Sequence, residues 1–273
     1  MAQLVNAQVV KARVDVAHLA ARVATVAAFL LVASVVLGLA QAQTQVQASV
    51  QGPAPGQGQG QVQAQVQDRR QNEPGQFDFY VLSLSWSPSF CDAVTERSAE
   101  SAARQPECGD RRFAFVVHGL WPQYEQGFPE FCQNPAPRLD RNIIASMLDM
   151  MPSPRLIFRT WDRHGVCSGL PARAYFETIR KARAMIKIPP AYLNLAEPKA
   201  ESKTVAPNDV EDAFIAANPG LTHDGIAIGC DAKRLSEVRI CMSKDLKFRS
   251  CAEVDQRACR LEQALMPRVR GGG

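Results

Sequence analysis

The sequence predicts an α+β fold, built as one disulfide-stapled domain over residues 76–265. Strand-like and helix-like segments are mixed along the chain, without the regular βαβ alternation that predicts a parallel sheet. All eight cysteines follow an apolar segment typical of exported chains, and an even number of cysteines in such a chain favours disulfides over free thiols. A domain of this length is large enough for a single hydrophobic core.

The first 42 of the 273 residues have the composition of an export signal. Residues 23–40 are apolar and uncharged, basic residues precede them, and Ala40-Gln41-Ala42 follows as a small-residue cleavage pattern. We therefore predict a signal peptide over residues 1–42. The alternative is an uncleaved membrane anchor, since an apolar run of this length nearly spans a bilayer. With either interpretation, we expect the rest of the chain in the periplasm or outside the cell.

The regions that flank the domain are predicted to be unstructured. Residues 43–75 consist largely of Gln, Gly, Pro, Ala and Val, which cannot bury enough apolar area to offset their ordering entropy, so we predict a disordered linker. Residues 266–273 are predicted to be a flexible tail. Residues 1–42 carry three positive charges and one negative charge, so their removal leaves +2 of the formal net charge of +4. Such a small charge excludes a protein that coats RNA electrostatically.

The first two strands are predicted from apolar runs bounded by Gly or Pro. Phe79–Trp86 reads as a strand that ends at Ser87-Pro88, and Arg112–His118 reads as a second strand. The second strand is expected to stop at Gly119 and Pro122, which both disfavour a strand interior.

Three helices and two late strands complete the predicted domain. Apolar residues at helical spacing predict helices over Leu139–Met151, Pro171–Ile186 and Asp209–Ala217, the last with Asn208 as its N-cap. The residues of the second helix that are expected to face inward are Tyr175, Phe176, Ile179 and Met185. The late strands are Gly225–Cys230 and Leu235–Met242, the latter with Glu237 and Arg239 facing away from its apolar residues.

Two short segments hold the residues with catalytic potential. His118-Gly119-Leu120-Trp121-Pro122 lies at the end of the second predicted strand, and Trp161–Cys167 follows about forty residues later. Removal of residues 1–42 leaves three histidines, and two of them, His118 and His164, lie in these segments. Two imidazoles beside Trp and a cation meet the needs of metal-free RNA cleavage: a base, an acid, a stacking surface and a charge for phosphate.

Together the two segments resemble the active-site signatures of the ribonuclease T2 family, the secreted acid endoribonucleases. Residues 115–122 match the first signature, F-x-x-H-G-L-W-P, throughout. Residues 159–167 match the second, H-E-W-x-K-H-G-x-C, at its Trp, second His, Gly and Cys, with Arg163 in place of Lys. Arg159 and Thr160 replace the leading His and Glu. The resemblance covers about residues 77–259 and implies a central antiparallel β-sheet flanked by helices.

The resemblance also implies a reaction, the transphosphorylation of single-stranded RNA to 2′,3′-cyclic phosphate ends. It assigns His164 as the base and His118 as the acid, an order that the sequence alone does not give. DNA is excluded as a substrate because it lacks the 2′-hydroxyl nucleophile. No cofactor is implied, and the absence of any C-x-x-C motif argues against zinc. We expect a monomer that contacts a membrane only if its N-terminal segment is uncleaved.

The resemblance implies two groups of substrate contacts. Arg163 is expected to stabilise the charge of the transition state and, with Arg159, to bind phosphate. Trp121 is expected to stack on a base, or alternatively to pack in the core. The residues expected to add to base binding are Tyr124 or Phe128 beside Trp121, and Trp86 in a second base pocket.

The cysteine pairing also follows from the resemblance, since eight cysteines permit 105 pairings by themselves. The implied bonds are Cys91–Cys108, Cys132–Cys167, Cys230–Cys259 and Cys241–Cys251. The second bond would tie the two catalytic segments together and bring His118 close to His164.

Three functions remain open on the sequence. The leading one is an exported, metal-independent endoribonuclease. Because Thr160 cannot replace a carboxylate, the alternative is a catalytically impaired secreted protein that binds RNA or signals. A structural cell-surface protein with a Gln-rich stalk is the third, although a scaffold would not require the histidine pair. We expect that restoring the family residues, above all in the double variant Arg159→His with Thr160→Glu, raises turnover.

Overall fold

The computed structural model describes residues 71–193 and 201–269. The predicted signal peptide, residues 43–70 of the predicted linker and residues 270–273 lie outside this part of the chain. Among the described residues, no helix combines the length and the apolar character needed to cross a bilayer.

Two antiparallel sheets form in the described part of the chain. The central sheet has four strands and the second sheet has two. The strands are β1 (Phe79–Trp86), β2 (Phe115–Gln123), β3 (Lys203–Val205), β4 (Ile226–Cys230), β5 (Leu235–Met242) and β6 (Ala264–Met266). The central sheet has the order β2-β1-β5-β4, and β3 pairs with β6. The predicted α+β fold with a central antiparallel sheet is confirmed.

Helices flank the central sheet. They are α1 (Ser87–Arg97), α2 (Ala99–Ala103), α3 (Arg141–Met147), α4 (Pro154–Arg163), α5 (Ala172–Met185), α6 (Pro190–Leu193), α7 (Pro207–Ala217) and α8 (Ala252–Gln256). The main core joins one face of the sheet to α3, α4, α5 and α7. A smaller cluster, which includes Val81 and Cys241, lies on alternate strand positions and contacts Trp121. The face of the sheet that carries this smaller cluster is therefore only partly covered, which leaves room for a site.

The second strand continues past its predicted end. β2 runs through Gly119 and Pro122, which pair with Ser83 and Tyr80 of β1. The prediction of a stop was wrong because β2 is an edge strand with one neighbour, and an edge position tolerates a residue that lacks an N–H donor.

Several helical details also differ from the sequence prediction, and α3 ends at Met147 instead of the predicted Met151. Ser87-Pro88 ends β1 but also begins α1, which was not predicted, because proline suits the first turn of a helix. Pro207 likewise lies in the first turn of α7, so the helix begins earlier than predicted and Asn208, the predicted N-cap, lies inside it. Met185 was predicted to face inward but is 45% exposed, because it is the last residue of α5 and the following Ile186 is buried instead.

The domain extends beyond both predicted boundaries. The amide of Gly75, assigned to the linker, donates to the carbonyl of Cys167, and the Asn72 side chain accepts from the amide of Glu130. At the other end, Met266 and Val269 are buried. Residues 71–75 and 266–269 are therefore parts of the domain, because each segment forms tertiary contacts that composition does not reveal.

All four implied disulfides are present and confirmed: Cys91–Cys108, Cys132–Cys167, Cys230–Cys259 and Cys241–Cys251.

Candidate active site

His118 projects from an irregularity in β2. Ser83 pairs with Gly119 and Leu84 pairs with Val117, so His118 is an extra residue without a partner in β1. Such a bulge redirects a side chain and often lies beside an active site. The imidazole is 44% exposed although the strand around it is buried.

The indole of Trp121 contacts both histidines. Its ring centroid lies 5.3 Å from that of His118, edge to face, and 5.3 Å from that of His164, in a stacked arrangement. Gly119 makes this position possible, because a Cβ atom there would lie 2.3 Å from the indole Nε1. Trp121 thus joins the two histidines in one site.

Helix α4 and the turn after it supply the second half of the site. Thr160 is buried in α4, and its Oγ1 donates to the carbonyl oxygen of His118 at 3.0 Å. His164 follows directly as the C-cap of α4. Gly165 allows the turn to approach the core, since a Cβ atom there would lie 2.4 Å from the Trp161 ring.

Further bonds attach this turn to the loop after β2. The amide of Phe131 donates to the carbonyl of Arg163 at 2.9 Å, and the next residue, Cys132, forms its disulfide with Cys167. The Arg163 Nε also donates to the Glu130 carboxylate at 2.5 Å. The disulfide therefore ties the loop after β2 to the turn that carries His164, as the resemblance implied.

The two imidazoles have opposite electrostatic surroundings. Burial, together with the charge of Arg163 and the proximity of His118, lowers the pKa of His164 to about 3. The buried Nδ1 of His164 has no hydrogen-bond partner among the described residues, so a second ring proton would be unpaired. His118, by contrast, has a carboxylate neighbour, since its Nδ1 lies 3.2 Å from Oε2 of Glu237.

Glu237 is a residue of the site that the sequence did not single out. It was expected on the side of β5 away from the core, which is correct, but its side chain is only 10% exposed. Ser83 of β1 donates to it at 2.6 Å, and Arg239 contacts it through two nitrogens. The only signal in the sequence was the spacing of Glu237 and Arg239, two positions apart in an otherwise apolar strand. That spacing does not reveal that β5 lies near His118.

Two cavities open beside the histidine pair, with volumes of about 640 Å³ and 340 Å³. The residues that line both are His118, Trp121, Arg163 and His164. The smaller cavity also contacts Phe128, Glu237 and Arg239. A polymeric ligand could therefore run past the two histidines and occupy both cavities.

One wall of the larger cavity carries a row of arginines. Arg155, Arg159 and Arg163 all line it, and they follow one another at four-residue intervals in α4. Successive members of the row are therefore about 6 Å apart along the helix axis. Within the described residues, Arg155 and Arg159 form no hydrogen bond or ion pair with the protein, so both guanidinium groups are available to an anion.

Glu107 is a second carboxyl group that the sequence did not indicate, and it lines the larger cavity. It precedes Cys108 in a short 3-10 turn and is 9% exposed. Burial raises its pKa to about 7, and the Ser87 hydroxyl, at 3.4 Å, only partly offsets this. In residues 71–193 and 201–269, no group of three or more His, Cys, Asp or Glu could hold a metal ion.

Comparison with known proteins identifies the family. The model of the Ribonuclease T2 family matches residues 77–251, a range that includes both histidine segments. The chain belongs to the Ribonuclease T2 family.

Relatives and solved structures agree with this assignment. A probable ribonuclease of Haemophilus influenzae is 35% identical over 127 residues, 44% of this chain and 47% of that protein. A ribonuclease of Aeromonas hydrophila is 31% identical over 175 residues, 64% and 76% of the two chains. Among solved structures, trichomaglin, an S-like ribonuclease, has a TM-score of 0.55 at 21% identity, covering 71% of this chain and 99% of its own. An RNase-related protein from Calystegia sepium has a TM-score of 0.52 at 19% identity, covering 70% and 97%. The structural likeness supports the shared T2 fold.

Not every residue expected from the T2 resemblance reaches the cavities. Trp121 lines both cavities, and Phe128, which is 36% exposed, lines the smaller one. Trp86 is fully buried, and its Nε1 donates to the carbonyl of Pro267. Tyr124 is also buried, and its hydroxyl accepts from the amide of Asn72. Trp86 and Tyr124 were predicted to contact substrate, but both rings pack into the core and neither lines one of the two cavities.

Proposed function

We propose that this chain is an exported, metal-independent endoribonuclease that cleaves single-stranded RNA by transphosphorylation. The observation that carries the proposal is the pair of imidazoles, His118 and His164, which contact one indole and face the same cavities. Membership of the T2 family supports the reaction class. The four disulfides support export, since such bonds persist in oxidising compartments.

His164 acts as the base. Its pKa of about 3 keeps the ring neutral at mildly acidic and neutral pH, so it can accept a proton. It takes the proton of the ribose 2′-hydroxyl, and the 2′-oxygen forms a bond to the adjacent phosphorus. A base whose conjugate acid is this strong removes the proton less readily, which favours concerted attack on the phosphorus.

His118 acts as the acid. Its ring is more exposed than that of His164, and its Nδ1 lies 3.2 Å from the Glu237 carboxylate. As the bond from phosphorus to the 5′-oxygen breaks, His118 transfers its proton to that oxygen. The products are a 2′,3′-cyclic phosphate and a 5′-hydroxyl end. Both proton transfers are supplied by imidazoles, so the scheme requires no metal ion.

Cations and aromatic rings hold the RNA strand. Arg163 lies beside His164 and stabilises the charge that develops on the phosphorane oxygens, while Arg159 binds a phosphate. A guanidinium can engage two phosphate oxygens at once, unlike the family's lysine. Trp121 and Phe128 offer stacking faces for bases, and stacking tolerates any base sequence.

The rival proposal is a secreted RNA-binding member of the family that has lost turnover. Thr160 favours it, because the position of the family's catalytic carboxylate holds a hydroxyl that donates to the backbone of His118. Retention of both histidines and of a cation beside them favours an active enzyme.

The deciding experiment is cleavage of single-stranded RNA by the purified protein in EDTA, with identification of the new ends. We expect 2′,3′-cyclic phosphate ends and nearly complete loss of cleavage in His118→Ala and His164→Ala, with the double variant little worse than either. His223→Ala is the control, since His223 lies outside both cavities. Retention of a tenth of the rate by His164→Ala would contradict the mechanism. RNA binding without cleavage by the wild type would support the rival proposal.

A further inference from the structure

We propose that Glu237 is the positioning residue for His118: from β5 it holds the imidazole in one tautomer, with Nε2 toward the cleft, and stabilises its protonated form. The proposal rests on the proposed function, in which His118 is the general acid. It assigns to the site a carboxylate that the second sequence motif lacks.

The geometry of the carboxylate supports this role. Its Oε2 accepts from Ser83 Oγ at 2.6 Å and lies 3.2 Å from Nδ1 of His118. Its Oε1 accepts from Nε of Arg239 at 2.8 Å and from Nη2 at 2.5 Å. Because both oxygens are engaged by separate strands, the carboxylate has a fixed orientation.

Glu237 is ionised throughout the range in which an enzyme of this kind works. Burial alone would raise its pKa, but the hydrogen bond with His118 and the charge of Arg239 outweigh burial and lower the pKa to about 2. An ionised carboxylate only accepts hydrogen bonds. The Nδ1 atom of His118 must therefore carry a proton, and Nε2 is the atom that exchanges a proton with substrate.

Other ionisable groups also face the histidine pair. They are Glu107 from the turn that contains Cys108, His164 after α4, Arg97 at the end of α1, Arg155, Arg159 and Arg163 on α4, Arg239 on β5, and Glu253 and Arg257 in and after α8. Glu107 and Glu253 are the other carboxyl groups in this set, but no hydrogen bond joins either of them to His118 in the described structure. Glu237 is the carboxylate in hydrogen-bond contact with the ring.

The first test is the pH dependence of kcat for Glu237→Gln, which keeps the shape of the side chain and removes its charge. The alkaline limb of the profile, where the acid loses its proton, should move to lower pH, and kcat should fall by roughly tenfold or more. Glu237→Asp should recover part of the loss. The control is Glu211→Gln, because Glu211 is as buried as Glu237 and contacts His223 at 3.8 Å, away from the cavities. The control should show no shift of the limb.

The second test changes the leaving group. A 4-nitrophenyl ester of uridine 3′-phosphate releases a stable anion that needs no general acid, so Glu237→Gln should cleave it at nearly the wild-type rate. An equal loss on this ester and on RNA would overturn the proposal and mark Glu237 as structural.

The third test does not depend on turnover. In NMR titrations, the His118 ring should titrate at lower pH in Glu237→Gln than in the wild type, and an unchanged titration would overturn the proposal. Absence of RNA cleavage by the wild type would refute the proposed function instead, and the titration would still decide the role of Glu237.

Discussion

The hydroxyl of Thr160 donates a hydrogen bond to the main-chain carbonyl of His118, with a distance of 3.0 Å between Oγ1 and the carbonyl oxygen. The bond joins α4 to the bulge of β2, so it links the two histidine segments directly. Thr160, one of the residues that depart from the family pattern, thus has a structural partner in the site.

This bond predicts a specific effect of Thr160→Val, which keeps the shape of the side chain and removes the donor. The variant should lose about 1–2 kcal/mol of unfolding free energy, because a buried carbonyl would lose its partner. Thermal and urea unfolding would measure the loss. Thr160→Ser retains the hydroxyl and should stay closer to the wild type; equal losses in both variants would assign the effect to packing.

A carboxylate at position 160 should raise turnover at a cost in stability. Thr160 lines the larger cavity, so a longer side chain can extend toward the phosphate. We expect kcat to rise by about tenfold or more in Arg159→His with Thr160→Glu. The single variant Thr160→Glu should gain less, because Arg159 can pair with the new carboxylate. Unchanged or lower kcat in both variants would show that the arginines alone carry the developing charge.

The low pKa of His164 predicts how activity and stability depend on pH. The folded ring stays neutral down to about pH 3, whereas the unfolded ring takes up a proton near its ordinary value of 6.5. Stability should therefore fall as pH drops from 6.5 toward 3, by at most a few kcal/mol from this residue. Urea unfolding at pH 7 and pH 4 would measure the fall.

His164→Asn, which does not titrate, should show a smaller loss of stability between these pH values.

The acid limb of the wild-type kcat profile should lie near pH 3, and it should move to higher pH in Arg163→Gln because one cause of the low His164 pKa is removed. An acid limb near 6.5 in the wild type would contradict the assignment of His164 as a buried neutral base.

The disulfide between Cys132 and Cys167 should matter for catalysis as well as stability. Its loop of 35 residues predicts a loss of roughly 3–4 kcal/mol in the double variant to Ala. The matched control removes the Cys230–Cys259 bond, which spans 29 residues. Both variants should be destabilised alike, but at temperatures where both remain folded only the first should lose kcat. Equal kcat in the two disulfide variants would refute the idea that the Cys132–Cys167 bond positions the histidines.

The arginine row of α4 should contribute to RNA affinity. Arg159→Gln and Arg155→Gln should each raise KM and reduce the slope of log KM against log salt by about 0.7. Arg173→Gln, on an exposed residue outside the cavities, is the control. A variant that raises KM without changing the salt slope would not be contacting phosphate.

The sequence by itself determined the family, the fold class, the four strands of the central sheet and three of the helices. Local patterns carry this information: the histidine motifs are contiguous, and helical and strand periodicity depend on near neighbours. The strand β5 and the helix α5 were predicted within a residue or two, whereas β2 was cut short at Gly119. That error arose because the tolerance of an edge strand for proline depends on which strands pair.

Only the tertiary structure decided which side chains meet in the site. Glu237 reaches His118 across β1, a contact between residues 119 positions apart, and no local pattern marks it. Trp86 and Tyr124 look suited to substrate, but Trp86 lies on the core face of β1, and Tyr124, directly after β2, is buried in the same core. The face that a side chain occupies depends on register and bulges formed between distant strands. These long-range pairings selected the carboxylate beside His118 and the aromatic rings that face the cavities.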